Sequence, residues 1–193
     1  MNPIGVLGGI FDPVHNGHLA VASLAKEFFK LDKVLLVPSG TPPHKKSTVT
    51  CSAFHRNEML LQAIADEPGF DIWDHEIKRD GISYTVDTIH ELKETFENPI
   101  YFIIGSDNLK EIVTWYKYEE ILKLVTLCVA HRPGYSCELP LQISNANIKS
   151  FPSPEWGISS TMIRKYLREG YSCRHLLPPR VINYIFDMGF YKN

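Results

Sequence analysis

Apolar positions along the 193-residue chain follow two spacings. Short continuous runs, Ile4-Gly5-Val6-Leu7, Lys33 to Pro38, Ile100 to Gly105 and Val125 to Ala130, have the length of buried strands, and Phe70-Asp71-Ile72-Trp73 reads as a further strand with an alternating pattern. Ile100-Tyr101-Phe102-Ile103-Ile104 is the clearest, unbroken and rich in β-branched and aromatic residues. Between these runs the spacing turns helical. Val21, Leu24, Ala25, Phe28 and Phe29 fall at i, i+3, i+4, i+7 and i+8, which predicts a helix opening near Asn16-Gly17. Met59, Leu60, Ala63 and Ile64 mark the inner face of a helix over 53–65, in which Arg56 reads as solvated. Thr85, Ile89, Leu92 and Phe96 mark another helix, with Ser83 as its cap. Ile163, Tyr166 and Leu167 line a third, capped by Ser159 or Ser160 and stopped by Gly170. After Pro178-Pro179 a last helix, 180–188, turns Val181, Ile182, Ile185 and Phe186 inward. The stretch 135–154 reads as loop with one weak strand over 142–150.

Strand, helix and strand at these lengths predict right-handed units with parallel strands. The expectation is an α/β fold: a Rossmann-like, mostly parallel sheet with helices on both faces and a small helical C-terminal part over about 157–193. No repeat, low-complexity tract or linker divides the chain, so 1–193 reads as one domain, long enough for a substantial core. A hydrophobic share of 44% and a charged share of 22% are those of a soluble globular protein. The net charge of −2 argues against a nucleic-acid partner, so any anion must be met by a local site. Cys51, Cys128, Cys137 and Cys173 form no CxxC pair, which argues against a zinc ribbon or a redox motif. With no cationic-apolar leader and no apolar run near the ~20 residues of a span, the expectation is a reduced, cytoplasmic protein with no membrane partner. A homo-oligomer is left open.

The stretch Gly8 to Leu19, GGIFDPVHNGHL, concentrates the candidate chemistry. Gly8 and Gly9 remove Cβ where a ligand could approach the backbone. Strand, glycine turn and helix bring backbone N–H groups and the positive helix end to one point, which suits a phosphate. His15 and His18, three apart, share one side of the opening helical turn. Imidazole donates hydrogen bonds to phosphate oxygens and, when protonated, offsets their charge. A zinc site fits poorly, because the helical zinc motif spaces its histidines four apart and carries a Glu. Taken singly, paired glycines and nearby histidines are commoner as surface or core features. Asp107, at a strand end, either caps a helix or binds a ribose hydroxyl, and Trp115 either packs on the core or stacks on a flat ring. Ser159 and Ser160 with Arg164 one turn on make a second anion-binding pattern. The Pro42-Pro43-His44-Lys45-Lys46 loop follows a parallel strand and is a candidate lid.

Together these stretches resemble a known family. His15-Asn16-Gly17-His18 matches the HxGH signature of the nucleotidyltransferase superfamily. The longer GG-x-FDP-x-H-x-GH form resembles the bacterial nicotinate mononucleotide adenylyltransferases. PPHK at 42–45, YT-x-DT at 84–88, GxD at 105–107 followed by Trp115, RPG at 132–134 and ISST-x-IR at 158–164 extend the resemblance over nearly the whole chain. It implies adenylyl transfer from ATP to nicotinate mononucleotide, giving deamido-NAD and pyrophosphate in NAD biosynthesis. It implies His15, His18 and Arg164 at the reacting phosphates, and Gly8, Gly9, Ile10, Phe11, Lys45, Ile158, Ser159 and Ser160 around ATP. Thr85, Asp107, Trp115 and Tyr116 would contact the mononucleotide, and Mg²⁺ would accompany ATP without a protein metal site. Ile10 departs from the family's usual Thr or Ser, which removes a side-chain contact to phosphate and leaves the backbone N–H. Phosphopantetheine adenylyltransferases share HxGH but commonly carry Thr where this chain has His15, and they lack YT-x-DT and Trp115. A nucleotide-binding regulator without turnover would not need His15, His18 and Arg164 intact.

Overall fold

A computed structural model of the chain describes residues 2–41, 49–131, 141–154 and 157–192. Lys45 with its PPHK loop, Arg132-Pro133-Gly134 and Cys137 lie outside the described residues. The elements in chain order are β1 (Ile4–Gly9), α1 (Asn16–Phe29), β2 (Val34–Pro38), α2 (Ala53–Ile64), β3 (Phe70–Ile72), α3 (His75–Lys78), α4 (Thr85–Thr95) and β4 (Ile100–Gly105), followed by α5 (Ser106–Glu111), α6 (Tyr118–Leu124), β5 (Thr126–His131), β6 (Ile148–Pro152), α7 (Ser160–Arg168) and α8 (Pro179–Met188). Among the described residues no helix is long and apolar enough to cross a membrane.

Among the described residues the strands form one six-stranded sheet in the order β3-β2-β1-β4-β5-β6, and every pairing is parallel. Both faces are covered, which is why β1, β2, β4 and β5 read as continuous apolar runs rather than alternating ones. Leu7, Val34, Leu36, Ile103 and Cys128 point to one side, where they pack with Ala22 and Ala25 of α1, Met59 and Leu60 of α2, Ile163 of α7 and Val181 and Ile185 of α8. Val6, Leu35, Val37, Phe102, Ile104 and Leu127 point to the other, against Val86, Ile89 and Leu92 of α4, Leu109 of α5 and Ile121 of α6. The C-terminal helices therefore share a core with the first half of the chain.

Strand order reverses between β1 and β4, the place where open α/β sheets bind ligands at the carboxyl ends of their strands. The two strands pair only from Ile4↔Ile100 to Val6↔Phe102, although β1 runs on to Gly9 and β4 to Gly105. They part before their ends, which opens a crevice at this place, with Gly8 and Gly9 on the β1 side and Gly105 on the β4 side.

Several local expectations change. Arg56 is 1% exposed, not solvated. Phe28 is 56% exposed, because the buried strip of α1 runs through the small Ala22 and Ala25, which let the helix lie close on the sheet and push Phe28 to the rim. Phe186 is also exposed, with the Lys192 ammonium 5.6 Å from its ring centroid. The N-cap position of α4 is Tyr84, and Ser83 is buried one residue earlier. The weak strand expected over 142–150 starts later and runs further: the chain first makes a 3₁₀ turn, Leu141–Ile143, and β6 then pairs with β5 from Ile148 to Pro152.

Candidate active site

The turn from Ile10 to His15 leaves β1 for α1 and is held from beneath. Phe11 takes a left-handed φ of +54° and drops its ring into the core, 1% exposed. A Cβ on Gly9 would stand 2.9 Å from that ring, so the glycine is required by Phe11 packing, whereas Gly8 is exposed at the crevice. Phe11 can therefore meet a ligand only through its backbone. Arg56, projecting from α2, donates from Nη1 to the Ile10 carbonyl at 2.7 Å, and from Nη2 to the carbonyls of Ser39 at 2.7 Å and Gly40 at 3.3 Å. One planar fork thus ties the end of β1 to the loop after β2. Its position is the signal that reasoning from sequence passed over: Arg56, Met59, Leu60 and Ala63 stand at i, i+3, i+4 and i+7, on the buried stripe.

Arg164 and Ser160 come to the same turn from the far end of the chain. Arg164 Nη1 donates to the Asp12 carbonyl at 2.7 Å, and Ser160 Oγ donates to the Pro13 carbonyl at 2.9 Å. Ser159 is the N-cap of α7, its Oγ accepting the Met162 N–H at 3.2 Å. With Ser160 and Arg164 committed to the turn, the N-terminus of α7 is fastened beside His15 and His18, and Ile158 lies half-buried just before it.

His15 and His18 stack with ring centroids 3.6 Å apart, and Phe11 meets His18 edge-on at 5.0 Å. The His15 N–H donates to His18 Nδ1 at 3.2 Å, so His18 accepts at Nδ1 and carries its proton on Nε2. Burial lowers the His15 pKa to about 4. Burial, and then the neighbouring His15, holds His18 well below its ordinary value. Both rings are neutral at pH 7, so of the two roles open to imidazole they take the first: what they offer an incoming phosphate is N–H donors. His15 Nδ1 is buried and has no partner among the described residues.

A second group gathers around the start of α4. Thr85 is the first residue of α4 and is half-buried. Backbone bonds begin only with Asp87 N–H and Thr88 N–H, both to the Tyr84 carbonyl, so among the described residues the N–H groups of Thr85 and Val86 have no partner. Tyr84 and Tyr116 bring this helix start to the Trp115 segment, their rings 4.6 Å apart. Trp115 is half-buried and edge-on to Phe102 at 6.2 Å, so it packs on the core with part of its ring still open. Asp107 is exposed in the first turn of α5 and its side chain makes no hydrogen bond among the described residues, so it is not a cap. Glu76, buried and unremarked in the sequence, accepts from Thr88 Oγ1 at 2.6 Å and from the Gly40 N–H at 3.4 Å. Burial raises its pKa, and those two bonds oppose the rise.

Comparison with known proteins gives the same picture. The cytidylyltransferase-like family model matches residues 6–166. A nicotinate-nucleotide adenylyltransferase of Bacillus subtilis is 38% identical over 194 aligned residues that cover 100% of both chains. Among solved structures, the Plasmodium falciparum nicotinic acid mononucleotide adenylyltransferase is similar in fold in two complexes. The one with NaAD has a TM-score of 0.78 and the one with APC 0.77, each at 20% identity over 99% of this chain and 98% of the other. With the family model spanning most of the chain and a relative matched end to end, the chain belongs to the nicotinate-nucleotide adenylyltransferase family of cytidylyltransferase-like nucleotidyltransferases.

Proposed function

We propose that this crevice transfers the adenylyl group of ATP to nicotinate mononucleotide, working as a single domain. An oxygen of the mononucleotide phosphate forms a bond to the α-phosphorus of ATP, the bond from that phosphorus to the oxygen bridging to the β-phosphate breaks, and deamido-NAD and pyrophosphate leave. The phosphate monoester is itself the nucleophile, so no Ser or Cys nucleophile is needed and the protein supplies position and charge stabilisation. His18 donates from Nε2 to a phosphate oxygen as charge develops, with His15 stacked behind it. Arg164 and the free N–H groups at the start of α7 take the departing pyrophosphate. Gly8 lets both nucleotides lie against the strand ends, Asp107 faces a ribose hydroxyl, and Trp115 and Tyr116 flank the pyridine with Thr85. Lys45 belongs to the ATP side. Mg²⁺ travels on the phosphate oxygens of ATP as part of the substrate.

The observation that carries this reading is the bonding of Arg164 and Ser160 to the carbonyls of Asp12 and Pro13, which joins two separate anion-binding motifs into one site at the sheet's switch point. The names of the B. subtilis relative and of the P. falciparum complexes with NaAD and APC support the same substrates. The test is pyrophosphate release from ATP with nicotinate mononucleotide. Release is expected with that acceptor and not with ATP alone. Silence with the mononucleotide, or turnover with phosphopantetheine in its place, overturns the reading.

A further inference from the structure

Asp12 sits beneath the phosphate turn with 1% of its surface exposed, and its carboxylate is used inward. Oδ2 accepts the Thr50 N–H at 2.6 Å, and Oδ1 accepts the Cys51 N–H at 3.3 Å and the Tyr191 hydroxyl at 2.6 Å. The Asp12 carbonyl is the group that receives Arg164 Nη1 at 2.7 Å, and Nη1 also lies 4.0 Å from Oδ2.

Tyr191 reaches this point through the way α8 ends. Gly189 takes φ +68°, its N–H bonds the Phe186 carbonyl at 3.2 Å, and the Phe190 N–H bonds the Ile185 carbonyl at 3.0 Å. These paired bonds reverse the chain as a Schellman ending does. Tyr191, itself left-handed at φ +59°, then turns its ring into the core, 5% exposed. The Cys51 thiol donates to the phenol oxygen at 3.1 Å, so the phenol proton is directed to Asp12. Burial raises both the thiol, to about 11, and the phenol, so both stay protonated and keep these roles at neutral pH.

We propose that Tyr191 is a positioning residue for adenylyl transfer: its hydroxyl fixes the Asp12 carboxylate, and the Asp12 carbonyl then presents Arg164 to the phosphates of ATP in a preset orientation. The proposal rests on the adenylyl-transfer reading above. A rigid guanidinium fork is sensitive to its anchor, and a shift of about 1 Å at a reacting phosphate is enough to cost on the order of a hundredfold in rate. Among the described residues three donors hold the Asp12 side chain, and the tyrosine bond shares with Thr50 N–H the shortest distance among them.

The test is Tyr191→Phe, which keeps the buried ring and removes only the hydroxyl, assayed where circular dichroism reports a fully folded protein. The expected result is a loss of about tenfold or more in kcat/KM for ATP, with KM for the mononucleotide unchanged. In an Arg164→Ala background the same change is expected to cost nothing further, an outcome that general loosening of the fold would not produce. Wild-type kcat/KM for ATP in Tyr191→Phe, or the same loss with and without Arg164, overturns the proposal. Equilibrium binding of a non-hydrolysable ATP analogue to the same four proteins repeats the test without turnover. If the wild type releases no pyrophosphate the adenylyl-transfer reading fails, while the binding series still decides whether Tyr191 acts through Arg164.

Discussion

His15 and His18 lie ring on ring, 3.6 Å between centroids and 21° between planes, with the backbone N–H of the first bonded to Nδ1 of the second. The pair is built to stay neutral and to aim an N–H outward, so its value appears when negative charge builds on the phosphates and not before. His18→Ala is therefore expected to lower kcat by about 10²-fold or more, the scale of one lost preorganised donor, with little change in KM for the mononucleotide. Steady-state kinetics on the folded variant checks this, and an unchanged kcat would remove His18 from the reaction.

The same burial makes stability depend on pH. An unfolded His15 titrates near 6.5, whereas the folded one waits until about 4. Between those values the unfolded chain binds a proton that the folded chain refuses, so acidification favours unfolding there and this contribution levels off below about pH 4. The full loss is on the order of 3 kcal/mol. His15→Asn, which has no such proton to gain, should lose less stability than the wild type between pH 7 and pH 5. Urea midpoints at both pH values measure it, and parallel losses would exclude His15 as the source.

Arg164 is tethered to the Asp12 carbonyl by Nη1, with Nη2 3.4 Å from Thr161 Oγ1, and its side chain is 12% exposed. It is a clamp with a fixed direction. Arg164→Ala should raise KM for ATP far more than KM for the mononucleotide, because the lost contact is local to the triphosphate. Arg164→Lys should recover only part, since an ammonium cannot hold the carbonyl and a phosphate as a fork does. Equal effects on both substrates would move Arg164 away from ATP.

Arg56 predicts a different phenotype, one of folding. Arg56→Met keeps the apolar stem but leaves the carbonyls of Ile10, Ser39 and Gly40 without their donor, in a place with almost no access to water. Unpaired buried acceptors of this kind cost about 3 kcal/mol or more in total. Chemical denaturation should register that loss, and a variant as stable as the wild type would mean that water replaces the guanidinium.

The sheet was legible because parallel strands buried on both faces leave unbroken apolar runs, as Val34 to Val37 and Ile100 to Ile104 do. The motifs at Gly8, Thr85 and Ser159 were legible as local patterns. What joins them was not. Tyr191 meets Asp12 across 179 positions, and no spacing rule connects a tyrosine after one helix to an aspartate in a turn. Arg56 was misread by its residue type, since arginine is usually solvated, although its place on the stripe with Met59 and Ala63 pointed inward. Trp115 was left between core and ligand, and its half-buried ring against Phe102 satisfies the first role without closing the second.

Choice of pyridine is the remaining question, since nicotinate and nicotinamide mononucleotides differ only in a carboxylate against a neutral amide. The groups near Trp115 are donors: Thr85 N–H and Val86 N–H open α4 without partners among the described residues, at the positive end of an eleven-residue helix. Lys117 has its Nζ 3.5 Å from Glu120 and 5.6 Å from the Tyr116 ring centroid, so its charge is partly answered already. A carboxylate accepts from both backbone donors, whereas an amide NH₂ turned toward either one leaves two donors facing each other. Each such mismatch costs about 1–3 kcal/mol, or roughly tenfold to a hundredfold. A preference for nicotinate mononucleotide of at least tenfold in kcat/KM is therefore expected. Trp115→Ala should weaken both substrates by a similar factor, because stacking on the ring face does not sense the substituent. Kinetics with the two mononucleotides side by side decides it: parity, or a preference for the amide, means that the N–H groups of Thr85 and Val86 do not meet the pyridine substituent.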